Sequence, residues 1–220
     1  MTVPSRKSRQ FELRGQEILD AALALFQSDT WEEVTVAEIA QQAEVGKGTI
    51  YKHFSSKDEI YAQLAMNFQR QILVQFAKVD TRLPVIDRFR QYLKAAWEVH
   101  LSSQELHRVF LYCSRAGFRS RLQATTLTEL EGIEYQLSLP TQQLVALGME
   151  QGIFPRKPLP LLLFGAQSAF WGAIQLVWSG YLGDIDQSDY LEELTTFILA
   201  GLIYHDQPID AQRLPSRPPS

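Results

Sequence analysis

The sequence predicts an all-α protein in which an N-terminal three-helix unit precedes a larger helical domain. Apolar residues recur at intervals of three and four through almost every segment, which is the period of a helix. Two Ser/Thr-x-x-Glu sequences, at residues 35–38 and 56–59, have the form of capping boxes that open helices. No stretch of useful length alternates apolar and polar residues, so no sheet is expected.

The first helix of the N-terminal unit, which is predicted to span residues 1–56, has an apolar face that ends at Phe26. Polar residues 28–30 then interrupt the pattern. Thr35 opens the second helix. Its hydroxyl can accept a hydrogen bond from a backbone N–H, while the carboxylate of Glu38 can bond back to the start of the helix. This second helix is predicted to be short.

The third helix follows a turn at Gly46 and is predicted at residues 47–54, where Ile50 and Phe54 point inward one turn apart. A long fourth helix begins after Ser56, and its apolar face continues for five turns. That helix therefore has one end in the N-terminal unit and the other in the domain that follows.

The second domain is predicted to span residues 57–207, including the long fourth helix as a connector. Helical stripes continue beyond it, and Pro140 is expected to kink or end the helix in which it lies. The last two helices are predicted at residues 161–178 and 190–204. The segment 208–220 contains four prolines and is expected to be a disordered tail.

The composition is that of an ordinary globular protein, with 45% hydrophobic and 21% charged residues in a chain of 220. Its single cysteine, Cys113, excludes an internal disulfide and indicates a reducing compartment, so a cytoplasmic location is expected. The polar, basic start of the chain does not have the form of a secretory signal.

The net charge of −4 hides two basic segments. Residues 45–57 contain three lysines and no acid, and residues 4–14 contain four basic residues and one acid. Because charges at physiological salt act over only about 8 Å, each segment can attract phosphates on an acidic chain.

Residues 35–57 have the form of a helix-turn-helix, in which two short helices pack on a third and one face of the second helix of the pair projects outward. Lysine, histidine and threonine side chains on that face can bond phosphates or base edges, and a glycine lets backbone approach DNA. The residues expected to contact DNA are Thr35, Lys47, Gly48, Thr49, Tyr51, Lys52, His53 and Lys57. The alternatives are a solvated lysine face, Tyr51 packed on the first helix, and His53 as a buried polar residue.

Residues 14–64 resemble the DNA-binding domain of the tetracycline-repressor family (TetR/AcrR-type regulators). The likeness lies in the spacing of the helices, the threonine that opens the second, the Gly-Lys-Gly-Thr-Ile-Tyr-Lys-His-Phe segment at 46–54 and the Ser-Lys-Asp-Glu segment at 56–59. The resemblance implies a dimeric repressor that binds a palindromic operator in double-stranded DNA and is released by a small molecule.

Two residues depart from the family's pattern. Glu44 stands in the turn where the family usually has glycine, which costs about 1 kcal/mol if the backbone there is left-handed. Gly46 replaces the usual serine cap of the third helix, which weakens the cap by a few tenths of a kcal/mol. Neither departure removes a side chain expected to touch DNA.

A hydrophobic effector pocket is expected in the second domain, because aromatic side chains with a few polar groups occupy the inward stripes of its helices. The candidate residues are Trp97, His100, Phe110, Cys113, Glu134, Trp171 and Gln175. Glu134 is the candidate for binding a cationic group. Plain core packing, or a surface carboxylate for Glu134, is the alternative for each.

A homodimer interface is expected on the last two helices, as the resemblance implies. Small residues at intervals of four on an uncharged helix allow another helix to approach. The candidate residues are Gly165, Ala169, Ala173, Phe197 and Gly201. Burial within one subunit is the alternative. The uncharged stretch 158–183 is long enough to span a bilayer, but polar residues interrupt it, so no membrane association is expected.

Other function classes have weaker support. Cys113 with His100 or His107 could form a nucleophile pair, but no orienting acid stands at a recognisable spacing, so an enzyme is not expected. The histidines have no metal-binding spacing, and neither a metal nor a cofactor is predicted. A helical ligand- or protein-binding module without repressor activity is the remaining alternative.

Overall fold

The computed structural model describes residues 5–28 and 30–205, and within these ranges the chain forms ten α-helices and no strand. The all-α prediction is confirmed. The helices are α1 (Arg6–Leu25), α2 (Val36–Gln42), α3 (Lys47–His53), α4 (Lys57–Phe76), α5 (Val85–Ser102), α6 (Gln104–Cys113), α7 (Ala116–Arg119), α8 (Ala124–Glu150), α9 (Leu159–Trp178) and α10 (Gln187–Ile203). The short α7 and a 3-10 turn at Trp31–Glu33 were not expected from the sequence.

The chain divides into two compact units. Unit 1 comprises Met1–Val79 and Lys94–Pro140, and unit 2 comprises Asp80–Leu93 and Thr141–Ser220. The domains predicted at residues 1–56 and 57–207 are a functional division, which this division by compactness does not test. The predicted tail at 208–220 lies outside the described residues.

Unit 1 has a core shared by the helix-turn-helix and the helices that follow it. Ile39 and Ala40 of α2 and Ile50 of α3 are buried in one cluster with residues of α1, α4, α6 and α7. The members beyond α3 include Ile60, Tyr61, Leu64, Val109, Cys113 and Phe118. Because α2 and α3 have seven residues each, they are too short to be stable without this packing.

The turn between α2 and α3 is a Schellman motif. The Glu44 N–H donates to the Gln41 carbonyl and the Val45 N–H to the Ala40 carbonyl, at 3.1 and 2.9 Å. Glu44 has a φ of 53°, and it is the one non-glycine residue with positive φ in the described chain. The backbone at Glu44 is therefore left-handed, which was the condition for the cost of a non-glycine residue in this turn. Gly46 caps α3 without a side-chain bond, as expected.

Only one of the two predicted capping boxes is complete. Thr35 accepts from the Glu38 N–H while the Glu38 carboxylate accepts from the Thr35 N–H, as predicted. At α4 the Ser56 hydroxyl accepts from the Glu59 N–H at 3.2 Å. The Glu59 carboxylate, however, bonds the start of α8, where it accepts from the Thr126 hydroxyl at 2.6 Å and the Gln123 N–H at 3.3 Å. A distant partner thus replaces the local one.

Helix α8 does not end at Pro140 but continues to Glu150. Proline lacks an N–H but keeps a helical φ, so the chain can tolerate one missing bond where tertiary packing holds the helix. Near the end of α8, a Cβ on Gly148 would lie 2.3 Å from the Phe154 ring, so this close approach requires glycine. In unit 2, α9 packs against α10.

Glu44→Gly is expected to raise the free energy of unfolding by about 1 kcal/mol, because glycine adopts positive φ without a Cβ penalty. Urea denaturation at neutral pH measures the difference. Glu44→Ala is the matched control, since it removes the same carboxylate and keeps the Cβ. Equal stability of the glycine and alanine proteins would contradict the strain at this position.

Candidate nucleic-acid interface

Helix α3 presents a polar, cationic face to solvent and buries the opposite side. Ile50 is buried in the shared core, whereas Lys47, Gly48 and Lys52 are exposed and Tyr51 is 55% exposed. At 3.6 residues per turn, Gly48 and Lys52 lie on the side of the helix opposite Ile50, Tyr51 lies about a quarter turn from Ile50, and Lys47 is exposed at the N-terminus of the helix. Lys47 and Lys52 are both exposed on this helix, whereas Thr49, which was expected to project with them, is half-buried.

Thr49 and Thr35 lie at the edges of this face. Thr49 is half-buried, and Thr35 is exposed at the start of α2, with its hydroxyl in the capping box with Glu38. A Cβ on Gly48 would meet nothing within 4 Å, so the start of α3 is open to an approaching surface. More than half of the Tyr51 side chain is exposed.

His53 is half-buried and stacks on Phe11 of α1. The ring centroids are 3.9 Å apart with an interplanar angle of 21°. Burial, and then the charge of Arg14, lower the pKa of His53 below its ordinary value. The neutral imidazole therefore predominates at neutral pH, and the ring is a packing element between α1 and α3 as well as a candidate DNA contact.

Lys57 anchors the segment that precedes α2. Its ammonium donates to the Glu32 carbonyl at 2.7 Å and to the Val34 carbonyl at 2.9 Å. The ammonium also lies 5.4 Å from the centroid of the Tyr61 ring. Burial lowers the pKa of Lys57. The sequence gave no signal of these bonds because the carbonyls are more than twenty residues away.

Two polar contacts link the N-terminus of α4 to the segment between α7 and α8. The Arg121 guanidinium donates to both carboxylate oxygens of Asp58, at 2.8 and 3.3 Å, and to the Tyr112 hydroxyl at 3.0 Å. The second contact is the Glu59–Thr126 bond described above. We call these contacts the α4–α8 latch. It lies immediately after the recognition helix α3, and it was not found by sequence reasoning.

Residues 18–64 match the family described as "Bacterial regulatory proteins, tetR family". The A-factor receptor protein of Streptomyces griseus is 28% identical over 200 residues, which cover 88% of this chain and 67% of the relative. The HTH-type transcriptional repressor DhaR of Mycobacterium sp. (strain GP1) is 29% identical over 165 residues, or 72% of this chain and 79% of the relative.

This chain therefore resembles the tetR family, and the family match lies in its N-terminal helices. A TetR-family transcription regulator from Marinobacter aquaeolei VT8 has the same fold, with a TM-score of 0.67 and 15% identity over 88% of this chain and 97% of that one. The fatty acid degradation regulator FadR of Bacillus halodurans also superposes, with a TM-score of 0.66 and 16% identity over 91% and 98% of the two chains.

The four pocket candidates from α5 and α6 lie in unit 1, in more than one cluster. Trp97 and His100 are buried, and the Phe110 ring lies 5.5 Å from the His100 ring. Cys113 belongs instead to the shared core, where burial raises the pKa of its thiol. A thiol that stays protonated is a poor nucleophile.

The remaining pocket candidates have other surroundings. Glu134 is paired with Arg119, whose guanidinium donates to both carboxylate oxygens at 2.9 and 3.2 Å. Trp171 and Gln175 are on the exposed side of α9 in unit 2. No single pocket within either unit therefore holds the whole predicted set, and the effector site stays a prediction.

A surface cavity of about 700 Å³ occurs in unit 1. It is lined mostly by polar side chains of α4 and α5, with one from α1. The lining residues are Gln16, Asn67, Arg70, Gln71, Val74, Gln75, Glu98, Val99 and Ser102. None of the predicted pocket residues is among them. In residues 5–28 and 30–205, no group of three or more His, Cys, Asp and Glu side chains could hold a metal ion.

The predicted dimer residues are only partly on the surface of unit 2. Gly165 and Gly201 are exposed, and Phe197 is 69% exposed. Ala169 is half-buried and Ala173 is buried, because a four-residue interval drifts around the helix. Larger side chains complete an open apolar face that the small-residue pattern missed: Leu161, Phe164, Trp171, Leu176 and Tyr204.

By length and composition alone, α9 could also cross a membrane, and only 28% of its most apolar window is buried within the chain. Most of this window is therefore not buried within one subunit. Phe197 of α10 and Tyr204, which follows that helix, are also exposed.

Lys57→Ala is expected to lower the free energy of unfolding by about 1–3 kcal/mol, because the carbonyls of Glu32 and the half-buried Val34 lose a charged donor. Chemical denaturation compares it with Lys52→Ala, which removes an exposed lysine of the same helix-turn-helix and should change stability by less than about 0.5 kcal/mol. Equal stability of the two variants would show that Lys57 is not an anchor.

Proposed function

We propose that the protein is a DNA-binding transcriptional repressor that binds a palindromic operator as a homodimer and is released by a small molecule. The observation that carries the proposal is the open cationic face of α3, which a buried Ile50 holds outward. Such a face fits the major groove, where lysine and threonine side chains can reach base edges and phosphates. We propose repression rather than activation because relatives such as DhaR are named transcriptional repressors.

Each exposed residue has a proposed role. Lys47, Thr49 and Lys52 contact base edges or the adjoining phosphates, with Gly48 allowing close approach. Tyr51 and Thr35 bond phosphates, and His53 and Lys57 contribute at the rim, where both are also held by protein groups.

Thr49→Ala and Lys47→Gln are expected to change sequence preference, with a loss of about 1–3 kcal/mol on the base pairs that they read. Selecting bound fragments from random duplexes with purified wild-type protein gives the operator, and repeating the selection with each variant gives the change. Lys94→Gln, which removes an exposed lysine of α5, is the control and should select the same sites. If both test variants select the same sequences as the wild type, Thr49 and Lys47 do not contact base edges.

The homodimer is proposed to form on the open apolar face of α9 and α10. Phe164 is 70% exposed and Phe197 is nearly as exposed, although both are aromatic and lie on neighbouring helices. Exposed apolar area of this kind is usually covered by a partner. A second copy is the proposed partner because a palindromic operator requires two recognition helices related by a two-fold axis.

Phe164→Glu and Phe197→Glu are each expected to convert the dimer to a monomer, since a buried unpaired charge opposes association. Sedimentation velocity measures the mass. Tyr135→Glu is the control, because Tyr135 is 63% exposed on α8 in unit 1 and outside the proposed face. A wild-type monomer at micromolar concentration, or dimers of both variants, would contradict this interface.

The α4–α8 latch supports the proposed response to a small molecule. A movement of α6 to α8 would act on α4 through Arg121–Asp58 and Thr126–Glu59, and on the end of α1 through Arg108, which donates to the Phe26 carbonyl at 3.0 Å. These bonds join the α6–α8 segment directly to α1 and α4, both of which belong to the core that supports α3. The cationic Arg108 also lies at a helix C-terminus, where positive charge is favourable.

Coupling between two sites is reciprocal, so DNA should affect the α6–α8 segment if that segment affects DNA binding. Hydrogen exchange is expected to show that operator binding protects amides in residues 106–126 of the wild type. Arg121→Gln/Thr126→Val should lose most of this protection, whereas Lys94→Gln should keep it. Equal protection in the latch variant would exclude the latch as the route.

A further inference from the structure

The N-terminal turns of α1 form a second basic segment that the proposed recognition helix does not include. Residues 5–14 contain Arg6, Lys7, Arg9 and Arg14 and a single acid, Glu12. Arg6, Lys7 and Arg14 are exposed. The segment is helical from Arg6, with the Ser5 hydroxyl accepting from the Ser8 N–H at 3.1 Å as the N-cap. These charges therefore have fixed positions along a helix.

Lys7, Phe11 and Arg14 lie on one side of α1. They are separated by four and then three residues, which places them above one another on the helix surface. The distance along the axis from Lys7 to Arg14 is about 10 Å at 1.5 Å per residue. Phe11 therefore lies between two cations on the same stripe.

The middle of this stripe is in contact with the recognition helix. The Phe11 ring stacks on His53, the last residue of α3, with 3.9 Å between centroids. A Cβ on Gly15, one turn further along α1, would lie 3.4 Å from Nδ1 of His53. Phe11 thus contacts the end of α3, and Lys7 and Arg14 lie about one turn to either side of this contact on α1.

We propose that the N-terminal turns of α1 form an additional DNA-binding surface, in which Arg6 and Lys7, assisted by Arg14, contact backbone phosphates beside each half-site. The inference rests on the proposed function and adds binding residues to it. The Phe11–His53 stack fixes this surface relative to α3, so both surfaces engage the same duplex together.

Local charge favours phosphate as the ligand. The acids nearest in sequence are engaged, Glu12 by the Ser8 hydroxyl at 3.2 Å and Glu17 by Arg14 at 2.6 Å. Arg14 is partly neutralised by that ion pair, so Arg6 and Lys7 supply most of the attraction. Flexible cationic side chains on an exposed helix bind phosphates independently of sequence. Base readout is not expected of them.

The experiment compares three full-length proteins on the operator obtained by selection and on a random-sequence duplex, over a range of salt concentrations. Arg6→Gln/Lys7→Gln removes two charges from the proposed surface. Lys78→Gln/Arg82→Gln removes the same two residue types from exposed positions between α4 and α5. The wild type is the reference, and circular dichroism checks the helix content of each.

The α1 variant is expected to bind both duplexes at least about ten-fold more weakly at 0.1 M salt. The slope of log K against log salt should fall by about 3.6, since the homodimer loses two phosphate contacts in each subunit and each contact contributes about 0.9. Arg6→Lys/Lys7→Arg should keep the wild-type slope. The control pair should match the wild type.

Three results would overturn the inference. If the α1 variant keeps the wild-type slope while the wild type binds DNA, the surface fails and the proposed function stands. If the α1 variant changes the selected sequence, these side chains read bases and the phosphate assignment is wrong. If the wild type binds neither duplex at low salt, the proposed function fails as well.

Discussion

The burial of Ile50 determines the orientation of the recognition helix, and most of the proposed function depends on it. A seven-residue helix has little stability of its own, so its orientation comes from the side chain that it inserts into the core. That core also contains residues of α4, α6 and α7. The helix-turn-helix is therefore not an independent module, because the hydrophobic cluster that supports it is continuous with the helices that follow.

The surface above this core combines rigid and adaptable groups. Lys47 and Lys52 extend freely from α3, whereas His53 and Lys57 are held by a ring stack and by two carbonyls. The held groups fix the edges of the surface, and the extended ones can adjust to phosphates and bases. An acidic chain can present such a surface because the acids next to it, Asp58 and Glu59, are engaged by Arg121, Gln123 and Thr126.

Local sequence signals predicted the parts of the fold that local interactions decide. The Thr35–Glu38 box, the break before α5 and the outward face of α3 follow from residues within one or two turns of each other. The partners of Glu59 and Lys57 could not be predicted, because each partner lies more than twenty residues away and competes with a local alternative. The helix continues past Pro140, where a kink or an end was predicted, and the small-residue ridge misplaced Ala173 by assuming a period of exactly four.

The buried contact between His100 and His107 constrains where the two imidazole rings carry their hydrogens. The two Nδ1 atoms are 3.1 Å apart, so one must carry a hydrogen while the other accepts it, and the tautomers of the rings are linked. Burial lowers the pKa of both rings. Their folded pKa values lie below the unfolded value of about 6.5, so they contribute most to stability above that pH, and the contribution falls as acid is added. Protonation of the accepting Nδ1 would leave two N–H donors facing each other. Their repulsion would push α5 and α6 apart at this contact.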